Sequence, residues 1–241
     1  MSEQPTLAAA LGEIMDLNNT VAVVTGANRG LGRHLAAGLV ERGAKVYAAA
    51  RNPETVDLPG VIPLKLDVTD AESITAAARI ASDATLLVNN AGISTSAALI
   101  SGDIDDVRRE MDVNFYGPLA VTRAFAPVIE NNGGGTVLNV LSVLSWFHPA
   151  ALGSYASSKA AAWAMSDAVR EELAPRGISV SALHVAYMDT DMAAGVPAEQ
   201  KIDPADVAAQ ALDGIESGLA EILADDTTRY VKQSLSSSNS E

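Results

Sequence analysis

Val21-Ala22-Val23-Val24-Thr25-Gly26-Ala27-Asn28-Arg29-Gly30-Leu31-Gly32 is the stretch on which the fold turns. Its first five residues form a short apolar run with no polar alternation, the pattern of a strand buried on both faces of a parallel sheet. The glycines that follow allow a tight turn. Leu31, Leu35, Leu39 and Val40 then recur at helical spacing until Gly43 ends the helix. A helix entered this way presents unpaired backbone N–H groups to an anion, and glycine lets that anion approach the backbone closely. The spacing is G-x-x-x-G-x-G rather than G-x-G-x-x-G. Taken alone, such a turn can equally be structural.

The same alternation continues outward from this unit. Lys45–Ala50 reads as a second strand, 61–66 as a third, and 69–82 as a helix before the strand Leu86–Asn89. A long helical stretch over 103–131 ends at Gly133-Gly134-Gly135, and a strand follows over 136–141. Next come a loop, an alanine-rich helix over 154–174, the strand Ile178–His184, and a helix opened by Pro204. A further helix is expected over 224–234. This order predicts an α/β, single-domain Rossmann-type doubly wound parallel sheet with helices on both faces. Residues 1–16 read as an N-terminal extension and 17–233 as the domain. Residues 234–241 read as a serine-rich tail expected to be disordered.

Composition narrows the function classes. The 241 residues are 48% hydrophobic, enough for one sizeable core. A formal net charge of −14 argues against nucleic acid or an anionic membrane surface as partner, because phosphate binding needs a positive footprint. The absence of cysteine removes disulfides, thiolate catalysis and cysteine-ligated metal sites. His34, His148 and His184 do not stand at metal-ligand spacing. No secretory signal or membrane-length apolar run is present, so a cytoplasmic location is expected.

Five segments in order carry a resemblance to the short-chain dehydrogenase/reductase family. They are the glycine turn, Leu66-Asp67-Val68, Asn89-Asn90-Ala91-Gly92, Asp112-Val113-Asn114-Phe115, and Ser142 with Tyr155-Ala156-Ser157-Ser158-Lys159. The likeness runs from about residue 20 to residue 192. It implies a nicotinamide cofactor held by Gly26, Asn28, Arg29, Gly30, Leu31 and Gly32, by Asp67 and Val68, and by Asn90, Ala91 and Gly92. In dinucleotide folds an acid at the end of the second strand selects NAD through the ribose 2′-hydroxyl. Here that strand ends Ala49-Ala50-Arg51-Asn52. A guanidinium pairs well with a phosphate that a carboxylate would repel. Arg51, with Arg29, therefore points to NADP(H), although each arginine has an alternative reading as a solvated surface residue.

Tyr155 and Lys159 stand at i and i+4 near a helix start, so both project from one face. A free phenol titrates near 10 and is protonated at neutral pH. A nearby ammonium and the positive ring of an oxidised cofactor would favour the phenolate and suit it to exchanging a proton with a substrate oxygen. Ser142 is expected at the carboxyl edge of the fifth strand, holding that oxygen, with Ser145 out of register beside it. The family's Ser-x12-Tyr-x3-Lys spacing is met. The resemblance further implies that Asn114 holds a water on the proton path, and that Lys159 binds the nicotinamide ribose.

The pattern breaks after the sixth strand, where Val185-Ala186 replaces the family's usual Pro-Gly. Thr190 still matches the threonine that contacts the cofactor, while the usual glycine-rich last strand is missing. Leu144, Trp146, Phe147, His148, Pro149 and Leu152 on one side, and Tyr187, Met188 and Met192 on the other, suggest an apolar pocket. The aromatics can also be read as packing residues. Carbonyl–alcohol interconversion of a small molecule is the default chemistry. Imine reduction, epimerisation or dehydration on the same scaffold, and a non-catalytic NADP-sensing protein, are the alternatives. The small residues of the tyrosine-bearing helix suit a homodimer.

Overall fold

A computed structural model describes residues 15–237. Its seven strands form one parallel sheet in the order β3-β2-β1-β4-β5-β6-β7. They are β1 (Val21–Thr25), β2 (Lys45–Ala50), β3 (Val61–Lys65), β4 (Leu86–Asn89), β5 (Gly135–Val140), β6 (Ile178–His184) and β7 (Glu221–Leu223). Helices α1 (Gly30–Glu41) and α6 (Pro204–Glu216) cover one face. Helices α2 (Ala71–Ile80), α4 (Gly117–Asn131) and α5 (Gly153–Leu173) belong to the other.

Strand periodicity explains why the strands read as unbroken apolar runs. Val24 and Leu86 enter the core under Leu35, Leu39 and Leu212, while their neighbours Val23 and Leu87 enter the opposite core with Phe125 and Ile129. Each of these side chains is essentially fully buried. Truncating one to alanine is expected to cost about 2–5 kcal/mol. Strand order reverses between β1 and β4, both of which pair in parallel. In open sheets of this kind the crevice at the strands' carboxyl ends, at that reversal, is the ligand site.

Several boundaries differ from the sequence expectation. The helical stretch over 103–131 is α3 (Ile104–Met111), a π-helical turn at Asp112–Tyr116, and α4. Ser142 does not end β5 but lies two residues beyond it, capping a 3-10 turn at Val143–Ser145. A seventh strand is present: Glu221–Leu223 pairs with Ala182, Leu183 and His184. Helix α7 (Asp226–Ser237) follows it. Asp225 accepts from the Thr228 backbone and hydroxyl at 2.8 and 2.7 Å, capping α7. The helix therefore includes the first four residues of the expected tail, and 238–241 lie outside the described residues. At the other end Met15 packs on the core and Asp16 caps a 3-10 turn, so both belong to the domain rather than to an extension. Residues 1–14 lie outside the described residues. Among the described residues no helix is long and apolar enough to cross a membrane.

Candidate active site

The glycine turn is built around Thr25. Its hydroxyl donates to the Val88 carbonyl at 3.2 Å and accepts from the Asn90 and Ala91 backbone at 2.9 and 3.0 Å. Asn90 returns its amide to the Thr25 and Gly26 carbonyls, at 2.8 and 3.3 Å. The two motifs thus brace one another across the strand reversal. Gly26 and Gly30 have φ of +65° and +52°, which side-chain-bearing residues rarely adopt. A methyl group on Gly32 would overlap the Gly26 carbonyl and the Asn90 amide. This is a cradle that only glycine leaves open, at the start of α1, and it fits a pyrophosphate. Leu31 is buried in the core, so only its backbone can serve such a ligand.

Around the turn, one cleft of about 2660 Å³ runs along the carboxyl edge of the sheet. That exceeds the usual range of roughly 300–1,000 Å³ for a single ligand site, leaving room for a dinucleotide and a second molecule. Asn28, Arg51, Asp67, Val68, Ala91 and Gly92 line it. Asn28 donates to Thr55 at 3.1 Å. Asp67 accepts from the Thr69 backbone and hydroxyl, and Arg51 contributes to holding its carboxyl below the usual range against the opposing effect of burial. Arg51 is exposed at the end of β2. Arg29 instead reaches across to Asp191, with Nη1 to Oδ2 at 3.1 Å and both side chains largely exposed. Thr190 lies over Gly30.

Asn114, Ser142, Tyr155 and Lys159 converge beside Gly92. Asn114 Oδ1 would lie 3.2 Å from a Cβ placed on Gly92, and Lys159 Nζ 3.7 Å from it. The π-helical turn places Asn114 there. Its carboxamide accepts from Ile93 N and donates to Ile93 O and Ser158 Oγ, each at 2.9 Å. Single π turns inside helices frequently accompany functional sites. Ser142 Oγ accepts from Leu144 N at 3.1 Å, which leaves its own proton to donate. Lys159 is buried and donates to the Val140 carbonyl at 2.9 Å.

Burial pushes the Tyr155 phenol up to about 12, the Ser142 hydroxyl opposes this by hydrogen bonding, and the Glu110 carboxylate adds to the rise. Burial brings Lys159 down to about 8. Lys159 Nζ lies 5.7 Å from the Tyr155 ring centroid. Desolvation is the largest influence on the phenol here.

Of the expected pocket residues, Leu144, Trp146, Leu152, Tyr187 and Met188 line the cleft, as do Phe147, Pro149 and Met192. Trp146 is buried and Met188 packs partly into the core, so each offers the cleft only an edge. His148 does not join them. It hydrogen-bonds the Ser145 carbonyl at 3.4 Å and lines a separate shallow pocket with Leu99 and Ile100. Ser145 is buried and does not line the cleft. At Val185-Ala186 the backbone is held from both sides. Val143 N donates to the Val185 carbonyl at 3.0 Å, and Ala186 N donates to Asp225 Oδ2 at 2.8 Å. The helix expected over 224–234 is α7, but sequence reasoning did not bring it to the site, where its Tyr230, Val231 and Leu235 also line the cleft. The one available signal was the apolar spacing of Tyr230 and Val231 in a polar helix.

The family described as short chain dehydrogenase matches this chain over residues 20–201. An NADPH-dependent 1-acyldihydroxyacetone phosphate reductase of Schizosaccharomyces pombe is 37% identical over 177 residues, covering 70% of this chain and 60% of that protein. A short-chain dehydrogenase of Penicillium ochrochloron is 34% identical over 184 residues, covering 72% of this chain and 68% of the relative. Among solved structures, a short chain dehydrogenase from Burkholderia cenocepacia J2315 in complex with NADP superimposes with a TM-score of 0.89 at 38% identity. That likeness covers 93% of this chain and 96% of the other.

Proposed function

The chain belongs to the short-chain dehydrogenase family, and from that premise we propose that it is an NADP(H)-dependent oxidoreductase that interconverts a carbonyl and an alcohol, with Tyr155 as the acid/base. The convergence of Ser142, Tyr155, Lys159 and Asn114 beside the Gly26–Gly32 cradle carries this reading. The NADP-bound Burkholderia structure and the NADPH-dependent yeast relative support the cofactor. So does Arg51, a cation where an acid would select NAD.

Bound in the cradle, the cofactor supplies the hydride. Gly26, Gly30 and Gly32 would admit the pyrophosphate, Arg51 the 2′-phosphate, and Lys159 the ribose hydroxyls. The substrate oxygen lies between Ser142 and Tyr155. The Ser142 hydroxyl donates a hydrogen bond to it and fixes its direction. Tyr155, neutral at rest because it is desolvated, gives its proton to the oxygen as negative charge develops there. The ammonium of Lys159, in the same buried space, stabilises the phenolate left behind. Asn114 positions rather than reacts: its carboxamide ties Ile93 to Ser158, on the turn of α5 between Tyr155 and Lys159.

The test is isotopic. NADPH carrying deuterium at C4 should deliver it to the carbinol carbon of a reduced ketone or aldehyde. Product formed without deuterium at that carbon, from either face of the ring, would overturn the reading. We further propose pairing of two chains along α5, where Ser157, Ala164 and Ala168 leave a small-residue face exposed. Light scattering on eluting protein should give twice the chain mass, and a chain mass would refute it.

A further inference from the structure

We infer that the substrate half of the cleft selects an uncharged carbonyl compound with an extended apolar body, and disfavours one bearing a carboxylate or phosphate. This rests on the carbonyl-reductase reading and deepens it. The first observation is where the large apolar side chains are left in water. Phe147, Tyr187, Met192 and Tyr230 are 56%, 42%, 53% and 73% exposed, and all four line this one cleft. They come from three separate segments, so no single loop accident explains them. Apolar surface gathered around a concave site marks what binds there. Val231 continues the wall inward, packing with Leu144 and Ala156 next to Tyr155.

The second observation is charge. Among the described residues lining the cleft, the cations besides Lys159 and the cofactor-side Arg29 and Arg51 are Lys201 and Arg229, and both are engaged. Lys201 Nζ lies 3.2 Å from Asp189 Oδ1. Arg229 pairs with Asp226 at 2.9 Å and also donates to the Leu223 carbonyl at 2.6 Å. Lys159 is committed to the Val140 carbonyl. Carboxylates of Glu199 and Asp225 face the same space. An anionic group entering here would have to take a cation from its partner, or remain desolvated beside like charge. Either is unfavourable. A neutral apolar chain meets neither obstacle.

The experiment compares nonanal with 9-oxononanoate, which share length and reacting group and differ in the terminal charge. Turnover is measured with NADPH on the full chain. Binding is measured independently by quenching of Trp146 and Trp163 fluorescence with nonanol and with 9-hydroxynonanoate. The inference expects kcat/KM at least tenfold higher for nonanal and quenching by nonanol at correspondingly lower concentration. Asp189→Asn, which releases Lys201, should narrow that gap. Equal or better use of 9-oxononanoate, with both activities abolished by Tyr155→Phe, would overturn the charge selection and leave the carbonyl reading standing. Selective quenching by nonanol without turnover of either aldehyde would support the selection and count against the chemistry. The absence of both turnover and quenching would overturn the inference.

Discussion

Trp146 lies flat on His184, with ring centroids 3.9 Å apart and planes inclined by 20°. His184 is fully buried, and its Nδ1 stands 3.4 Å from the carbonyl oxygen of Ser142. Lys232 of α7 sits over the Trp146 ring, 4.6 Å from its centroid, and pairs with Glu221 of β7 at 2.7 Å. The helix that walls the substrate half of the cleft and the loop that carries Ser142 are therefore joined through one aromatic pair.

The first prediction concerns the pH dependence of stability. Burial brings His184 down to about 4 from an ordinary value of 6.5, with the Ser142 carbonyl opposing and the Lys232 charge reinforcing the fall. The folded protein keeps the ring neutral over a range in which the unfolded chain protonates it. Stability linked to this ring is complete above pH 6.5 and is lost as the pH falls through about 4, on the order of 3 kcal/mol in all. His184→Asn keeps a donor toward Ser142 and removes the titration. Its Tm should fall less than the wild type's between pH 7 and 4.5. Equal slopes would refute the assignment.

A second prediction follows from Lys232. An ammonium over an aromatic face contributes about 0.5–2 kcal/mol when partly desolvated. Lys232→Met should lower Tm by a few degrees. It should also raise KM several-fold for an apolar aldehyde with kcat nearly unchanged, because α7 shapes binding and touches no reacting atom. Loss of kcat at constant KM would contradict this.

Cofactor selection supplies a third. Arg51→Ala should weaken NADPH binding by roughly tenfold or more, the scale of a charged hydrogen bond, and leave NADH binding unchanged. Arg29 is drawn toward Asp191 by an exposed pair of the kind that contributes about 0–1 kcal/mol. Asp191→Asn should free Arg29 and tighten NADPH binding by up to about fivefold. Fluorescence titration of reduced nicotinamide reads both. Unchanged NADPH affinity in Arg51→Ala would place the 2′-phosphate elsewhere.

Proton uptake gives a fourth. Burial lowers Lys159 to about 8 in the free protein, so near pH 8.5 much of it is neutral. Hydrogen bonding to the ribose favours the ammonium and raises that value. NADPH binding at pH 8.5 should therefore take up a fraction of a proton, and far less at pH 6.5. Calorimetry in buffers of different ionisation enthalpy measures it, and Lys159→Met should remove it.

Legibility in the sequence followed the range of the interaction involved. β1, β2, β4 and β6 were delimited to the residue; β1, β2 and β4 are largely apolar runs closed by Gly26, Arg51 and Asn90. The helical stretch over 103–131 was visible, but the π turn at Asp112–Tyr116 was not, because a single turn of i→i+5 bonding has no residue signature of its own. β7 is three residues opening on a glutamate, too short for any period, and pairing with β6 creates it. Ser142, Tyr155, Lys159 and Asn114 were readable because their spacing is fixed along the chain. The contribution of α7 to the cleft was not, because Lys232, Trp146 and Glu221 meet only in the fold.

Every role proposed for the site depends on Tyr155 supplying the proton in carbonyl reduction by NADPH. The most direct measurement is steady-state reduction of an aldehyde by wild type and Tyr155→Phe, with NADPH binding to each measured alongside. Tyr155→Phe should keep NADPH affinity within a few-fold of wild type and lower turnover by at least roughly a hundredfold, the scale of general acid catalysis. Turnover in Tyr155→Phe within tenfold of wild type, at unchanged NADPH affinity, would contradict it.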